Sequence, residues 1–209
     1  MKQANKRYIL HQLVVGPIGT NCYIFGSAKT REVAVIDPGG DYDKIKKLLD
    51  KEKLVPKFII NTHGHIDHTG ANYKFKLPIY IHKDDADFLT NPVNSLSAFT
   101  AHFAMSPKAD HILEDGEEIE IADVSLKVLH TPGHTPGGIS LHHDGIVFTG
   151  DALFADSIGR SDFPYSDGDA LINGIRKKLL PLDESVLVFP GHGPETTIGH
   201  EKKNNSWLQ

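Results

Sequence analysis

The chain has 209 residues, of which 39% are hydrophobic and 23% charged, and its formal net charge is −5. This balance is typical of a soluble globular protein, and the length predicts one domain over residues 1–209 with a core that needs no disulfide. The acidic balance, without a basic patch, argues against nucleic acid or an anionic membrane as a partner.

Short apolar runs separated by Gly, Pro and Asn turns predict strands in the first half, at residues 9–15, 22–25 and 33–36. A helix is predicted over residues 41–53, because apolar side chains recur there at three- and four-residue spacing and Asp41 can cap its start. The elements predicted next are a strand at 58–60, a polar loop at 61–70, a strand at 79–81 and a helix at 84–89.

The second half follows the same order of strands and then a helix. Asp144-Gly145 is a two-residue turn signal, so the apolar runs on either side of it predict a hairpin. The predicted elements are strands at 124–129, 139–141, 146–148 and 186–189, a helix at 168–180 and a short helical tail. Strands and helices in this order indicate an α/β or α+β fold with two packed sheets and helices outside.

Residues 91–111 join the two halves and show no clear periodicity. A connector of this length is either packed against the domain or part of a functional surface. We keep both interpretations, and in the second one His102 and Phe103 line the substrate pocket.

The densest polar motif is Thr62-His63-Gly64-His65-Ile66-Asp67-His68-Thr69-Gly70, directly after a predicted buried strand. In an extended loop, His63 and His65 point the same way, two residues apart. As the chain turns into a helix, Asp67 and His68 can face a second point. Imidazole and carboxylate ligands suit a divalent first-row metal, so this segment can serve two neighbouring metals, with zinc the first choice.

Three more segments each place a His or Asp beside glycine after a predicted strand. The residues are His134 in TPGHTPG, Asp151 in FTGDA and His192 in FPGHGP. Asp151 has two carboxylate oxygens and can bridge two metals. Of the 13 histidines, five belong to these motifs, and the other eight match no ligand spacing and are interpreted as surface or packing residues.

At these motifs the sequence resembles the metallo-β-lactamase superfamily, and within it the short bacterial hydrolases similar to glyoxalase II. The resemblance extends to GTNCY at 19–23, IDPGG at 36–40, GRSD at 159–162 and the segment 190–199. It implies an αββα sandwich, in which two sheets face each other, helices lie outside and two metals bind at one sheet edge.

The resemblance also implies a role for each motif residue. It assigns metal 1 to His63, His65 and His134, metal 2 to Asp67, His68 and His192, and the bridging position to Asp151. Asp37 would orient a ligand histidine. The cofactors implied are two divalent ions, zinc first, with iron or manganese as alternatives.

The activity implied is hydrolysis of a thioester, such as S-D-lactoylglutathione or a related acyl-thiol. Water activated by the metals is the nucleophile, and Asp67 and Asp151 are the catalytic carboxylates. Glyoxalase II itself has an additional C-terminal helical domain that holds glutathione, and this sequence ends soon after the His192 motif. Arg160 and Tyr165 are therefore candidates to bind an acidic substrate group, with His102 and Phe103 as further pocket candidates.

Other activities use the same fold. A persulfide dioxygenase would hold one iron through His63, His134 and Asp151. A nuclease or phosphodiesterase would need a basic surface, and a β-lactamase would need a secretion signal, which the N-terminal residues lack. A non-catalytic binding domain would be expected to lose ligands.

The location expected from the sequence is cytoplasmic. Cys22 is the single cysteine and cannot form an intrachain disulfide, and no stretch approaches the roughly 18–20 apolar residues of a membrane span. The expected partner is a small-molecule thioester, and a homodimer stays open.

Overall fold

The computed structural model describes residues 8–100 and 105–209. His102 and Phe103, two of the candidate pocket residues, lie outside the described residues. None of the helices in the described ranges has the length and hydropathy that a bilayer-spanning segment needs.

The first sheet contains six strands in sequential order, antiparallel at β1–β3 and parallel from β3 onward. The strands are β1 (Tyr8–Val15), β2 (Thr20–Ser27), β3 (Glu32–Ile36), β4 (Val55–Ile60), β5 (Ile79–His82) and β6 (His111–Leu113). The parallel strands require crossovers, and the helical segments between them supply these connections. Those segments are α1 (Tyr42–Lys51), α2 (Ile66–Thr69), α3 (Asn72–Phe75) and two 3₁₀ helices, Lys83–Thr90 and Ser97–Phe99.

The second sheet also has six strands, in the order β14-β13-β10-β9-β8-β7. The second half of the chain contains β7 (Glu118–Ile121), β8 (Val124–His130), β9 (Ile139–His143), β10 (Ile146–Gly150), the small hairpin β11 (Leu153–Phe154) and β12 (Ser157–Ile158), β13 (Leu187–Pro190) and β14 (Thr196–Thr197). Helix α4 (Gly168–Gly174) continues as a π-helical turn, Ile175–Leu179, and α5 (Ile198–Asn204) leads to a 3₁₀ turn, Ser206–Leu208.

The two sheets pack face to face through one shared apolar core. Phe25 and Ile60 from the first sheet meet Phe148 and Leu141 from the second, and all four are fully buried. A second apolar cluster lies between the outer face of the first sheet and α1, and a third lies between the second sheet and α4 and α5. The predicted fold, two facing sheets with helices outside, is confirmed.

Several boundaries and one cap differ from the sequence expectations. The helix predicted over 41–53 ends at Lys51. Asp41 makes no side-chain cap; it has a left-handed backbone (φ 48°), and its carboxylate instead accepts the N–H of Gly16 at 3.1 Å. The segment predicted as one helix over 168–180 changes to π geometry at Ile175. The short strands β6, β7, β11, β12 and β14 were missed, because two- to four-residue runs carry little periodicity.

We expect Phe148→Ala to lower the free energy of unfolding by about 3–5 kcal/mol, because it leaves a cavity between the sheets. The Phe148 ring lies 5.0 Å from Tyr23, 5.6 Å from Phe25 and 5.7 Å from Phe189, centroid to centroid. Urea denaturation measures the change. Phe99→Ala is the matched control, since that ring is 76% exposed and its loss should change stability by less than about 0.5 kcal/mol. Equal losses in the two variants would contradict this assignment of the core.

Candidate metal centre

The ligand candidates lie in four loops that follow strand ends. The first segment leaves β4 and turns into α2, and the others leave β8, β10 and β13. Strands β8, β10 and β13 point the same way, because β9 is antiparallel to both β8 and β10 and β13 is parallel to β10. Their carboxyl ends therefore open at one sheet edge. The structure brings together there all seven ligand candidates: His63, His65, Asp67, His68, His134, Asp151 and His192.

Three buried histidines form the first cluster. The ligand nitrogens of His63, His65 and His134 lie within 4.8 Å of one another, and His65 Nδ1 is 3.0 Å from His134 Nε2. Two nitrogens on one tetrahedral zinc, each about 2.0–2.1 Å from it, are separated by about 3.4 Å. The spacing and the nearly perpendicular rings suit a shared cation.

The second cluster combines Asp67, His68 and His192. Asp67 Oδ2 lies 3.3 Å from His68 Nε2 and 3.2 Å from His192 Nε2, and the two nitrogens are 3.3 Å apart. These three separations are again those of ligands around one metal. The side chains of Asp67 and His192 are 19% and 25% exposed, so this cluster is open to solvent on one side.

Asp151 contacts both clusters. Its Oδ1 lies 3.3 Å from His68 Nε2, and its Oδ2 lies 3.6 Å from both His134 Nε2 and His192 Nε2. A carboxylate in this position can bridge two metals.

Two buried polar atoms provide an independent test of metal binding. His63 Nε2 and Asp151 Oδ1 make no hydrogen bond. His68 Nε2 lies 3.3 Å from that oxygen, but the contact does not meet hydrogen-bond geometry. Buried polar atoms without partners are rare and costly. A cation at each cluster would give both atoms a partner, so the residues present fit a pair of divalent metals.

Hydrogen bonds fix which ring nitrogen faces the centre. His68 Nδ1–H donates to Asp37 Oδ2 at 2.9 Å, and His134 Nδ1–H donates to the carbonyl of Arg160 at 2.7 Å. Asp37 also accepts the N–H and the hydroxyl of Thr62, at 2.8 and 2.6 Å. The Nε2 atoms of both histidines are thereby directed to the metal positions.

The two clusters differ in charge. Burial, reinforced by the neighbouring histidines, holds the pKa of His63 well below its usual range and lowers that of His65 to about 3. Burial also opposes a charge on His68, but the carboxylates of Asp67, Asp151 and Asp37 raise its pKa well above the usual value. The protonated His68 in turn lowers the pKa of Asp67 and Asp151, against the effect of burial.

Aromatic side chains pack beside the first cluster. The Phe163 ring lies 5.6 Å from His65 and 5.9 Å from His134, and the Arg160 guanidinium lies over this ring, 4.2 Å from its centroid. Phe88 lies 6.2 Å from His65, and the exposed Tyr165 packs against Phe88 at 6.2 Å. Sequence reasoning missed Phe163 and Phe88, since neither belongs to a periodic or ligand-spaced pattern.

Arg160 is not a free cation. Its Nε and Nη2 donate to the two carboxylate oxygens of Asp162 at 2.9 and 2.8 Å, and both side chains are exposed. Two other groups with possible ligand geometry, His82–Asp84–His130 and Asp156–His200–Glu201, share no residue with the centre.

Comparison with known proteins gives a consistent family. The model of the metallo-beta-lactamase superfamily matches residues 15–192. The hydroxyacylglutathione hydrolase GloC of Haemophilus influenzae is 38% identical over 190 residues, which cover 85% of this chain and 88% of that protein.

Two solved structures agree closely with the whole fold. The BLEG-1 B3 metallo-beta-lactamase has a TM-score of 0.89 at 36% identity, covering 96% of this chain and all of that one. TTHA1623, determined in a di-iron-bound form, has a TM-score of 0.85 at 33% identity, covering 95% of this chain and all of that one.

We expect the two clusters to lose metal at different pH. The raised pKa of His68 means that a metal at the second cluster must displace a proton, so its affinity falls as the pH falls through that pKa. The neutral His63 and His65 require no such proton release. Lowering the pH from about 8 to about 5 should therefore remove the metal of the second cluster before the metal of the first.

Metal content after dialysis at each pH measures this order. In the metal-free protein, the protonated His68 adds to the free energy of unfolding. This contribution is complete below about pH 6.5 and is lost as the pH rises through the raised pKa of His68. Loss of both metals in one step would contradict the expected difference between the clusters.

Proposed function

This chain belongs to the metallo-beta-lactamase superfamily, and from that premise we propose that it is a two-metal hydrolase that cleaves a thioester such as S-D-lactoylglutathione or a related acyl-thiol. The observation that carries the proposal is the pair of ligand clusters that share Asp151. The name of the Haemophilus influenzae relative, hydroxyacylglutathione hydrolase, supports the choice of substrate class.

The proposed ligands are those that the sequence indicated. His63, His65 and His134 would hold one metal, Asp67, His68 and His192 would hold the other, and Asp151 would bridge them. Zinc is the proposed metal, because a buried site of three imidazoles and a carboxylate suits it. Iron and manganese are the alternatives, and the similar structure with two irons supports keeping iron among them.

Two divalent metals in such a site supply water that is activated at neutral pH and a polarised substrate carbonyl. Asp67 accepts a hydrogen bond from the Thr20 hydroxyl at 3.3 Å and lies on the solvent-open side of the centre. In this position Asp67 orients the attacking water and accepts its proton. Cys22 takes no part, since it is fully buried and burial raises the pKa of its thiol.

We assign the side chains around the first cluster to substrate binding. Phe163 and Phe88 exclude water from the side of His65, and the half-buried Phe163 packs against the acyl chain or the carrier. Arg160 and Tyr165, at the rim, contact an acidic or polar group of the carrier, and we keep His102 and Phe103 as further candidates. We also propose that residues 1–209 form one cytoplasmic domain, with no nucleic-acid or membrane partner, and that it can form a homodimer.

The mono-iron dioxygenase alternative uses His63, His134 and Asp151 and leaves the second cluster without a purpose. The ligand atoms of Asp67, His68 and His192 lie 3.2–3.3 Å from one another, and this second ligand set favours the hydrolase over the dioxygenase. A nuclease or phosphodiesterase is disfavoured by the net charge of −5.

A specific observation favours β-lactam hydrolysis as a second candidate. BLEG-1, whose structure has a TM-score of 0.89, is named a B3 metallo-beta-lactamase. Turnover of a chromogenic cephalosporin, compared with turnover of S-D-lactoylglutathione on the same preparation, ranks the two activities. A higher kcat/KM for the β-lactam would replace the thioesterase proposal.

We expect Asp151→Ala to lose metal and thioesterase activity together, because the carboxylate that contacts both clusters is removed. Metal content per chain by plasma mass spectrometry and S-D-lactoylglutathione turnover measure the two effects. The wild-type protein, purified without chelator, should hold near two metals per chain. Asp169→Ala, which removes an exposed carboxylate on α4, should leave both values unchanged. A fully metallated, active Asp151→Ala protein would refute the bridging role.

We expect the Arg160–Asp162 pair to tune substrate affinity in opposite directions. Asp162→Asn releases the guanidinium from its carboxylate partner and should lower KM for an acidic acyl-thiol, whereas Arg160→Ala should raise it. Metal content should not change in either variant. Equal KM values for both variants and the wild type would remove Arg160 from the substrate site.

A further inference from the structure

We infer that two buried residues outside the ligand set, Asp85 and Asn21, are positioning residues that each support one of the two metals. Asp85 links the two loops that carry the first cluster, and Asn21 holds the loop that carries His192. This inference rests on the two-metal centre of the proposed function, and it predicts that the two metal sites can be weakened separately.

Asp85 lies in the 3₁₀ helix Lys83–Thr90 and is fully buried. Its Oδ2 accepts the N–H of Gly64 at 2.8 Å, and its Oδ1 accepts the N–H of Gly137 at 2.6 Å. Gly64 separates His63 from His65, and Gly137 lies three residues after His134. One carboxylate therefore fixes the distance between the two segments that supply all three histidines of the first cluster.

Both donors are glycines because their backbone comes very close to the 3₁₀ helix that carries Asp85. A Cβ at Gly137 would lie 2.7 Å from the Cβ of Asp85, and a Cβ at Gly64 would overlap the Cβ of Phe88. Real Cβ atoms do not approach this closely, so a side chain at either position would push the loops apart. The Asp85 contact and the two glycines form one arrangement.

Asn21 has an equivalent role at the second cluster, where it holds the loop that carries His192. Its Nδ2 donates to the carbonyls of Pro190 and Gly193, both at 2.9 Å, and its backbone N–H donates to the carbonyl of Gly191 at 2.7 Å. These three carbonyls flank His192 on both sides. Gln12 Nε2 donates to Asn21 Oδ1 at 2.8 Å, which fixes the orientation of the amide.

Neither residue contacts the other cluster's segments through these bonds. Asp85 is linked to residues 64 and 137, and Asn21 to residues 190, 191 and 193. If each acts by positioning, its loss should weaken one metal and spare the other. If each merely stabilises the fold, both metals should weaken together.

The test uses two single-site backgrounds, in which one ligand is deleted so that one metal remains. His192→Ala leaves the first cluster intact, and His65→Ala leaves the second intact. Zinc affinity in each background is measured by competition with a chelating dye. The added variants are Asp85→Asn, whose amide nitrogen cannot accept one of the two N–H groups, and Asn21→Ala, which removes both side-chain donors.

We expect Asp85→Asn to lower zinc affinity at least about tenfold in the His192→Ala background and not in the His65→Ala background. Asn21→Ala should do the reverse. Each variant is thus the control for the other. Glu201→Gln is a second control. Glu201 is equally buried and accepts the N–H of Asp156 and the hydroxyl of Thr196, so this substitution changes a buried carboxyl group without touching the bonds of Asp85 or Asn21.

Equal losses in both backgrounds, no loss in either, or a matching loss in Glu201→Gln would overturn the inference. Circular dichroism of the metal-free proteins checks folding, and Asp85→Ser and Gln12→Ala replace any variant that does not fold. A wild-type protein that binds one metal would contradict the two-metal proposal and the Asn21 half of the inference. A wild-type protein that binds two, with unchanged variants, would leave the proposal standing and refute the inference alone.

Discussion

The carboxyl ends of four strands open at one edge of two packed sheets, and the whole site depends on that constraint. The core between the sheets, with Phe25 and Phe148 at its centre, fixes how far β4 lies from β8, β10 and β13. A strand end is a rigid place from which to project a side chain, since the backbone behind it is fully hydrogen-bonded. The packing energy of the sandwich therefore sets distances that a set of free loops could not maintain.

The charge balance of the site follows from its burial. Asp37, Asp67 and Asp151 surround His68, and uncompensated carboxylates in such a place would be costly. In the metal-free protein a proton on His68 supplies part of the compensation. The first cluster has no such proton, because burial holds the pKa of His63 well below its usual range and lowers that of His65 to about 3, and His63 Nε2 has no hydrogen-bond partner. The two halves of the centre thus limit the desolvation cost in different ways: a proton on His68 balances carboxylate charge in the second cluster, whereas His63 and His65 in the first cluster stay uncharged.

Sequence reasoning reached the fold and the seven ligand candidates because those signals are local: a residue type suited to a metal, beside glycine, directly after an apolar run. It failed where the partners are distant in the chain. Asp85 and Gly137 are 52 residues apart, and Asn21 and Gly193 are 172 apart, and in each pair one partner is a backbone atom that has no residue signature. Phe163 was missed for the same reason, since its place beside His65 comes from the fold of the 159–167 loop.

The second cluster gives the strongest argument about chemistry, because each of its ligands has a support of its own. The Thr20 hydroxyl bonds Asp67, the Asp37 carboxylate bonds His68, and backbone carbonyls bonded by Asn21 flank the third ligand. A one-metal mechanism has no use for these contacts, and the single proton on His68 would then balance only one of the two carboxylates, Asp67 and Asp151, that lie beside it. The supports make physical sense if a second cation occupies the cluster, where the same carboxylates become ligands.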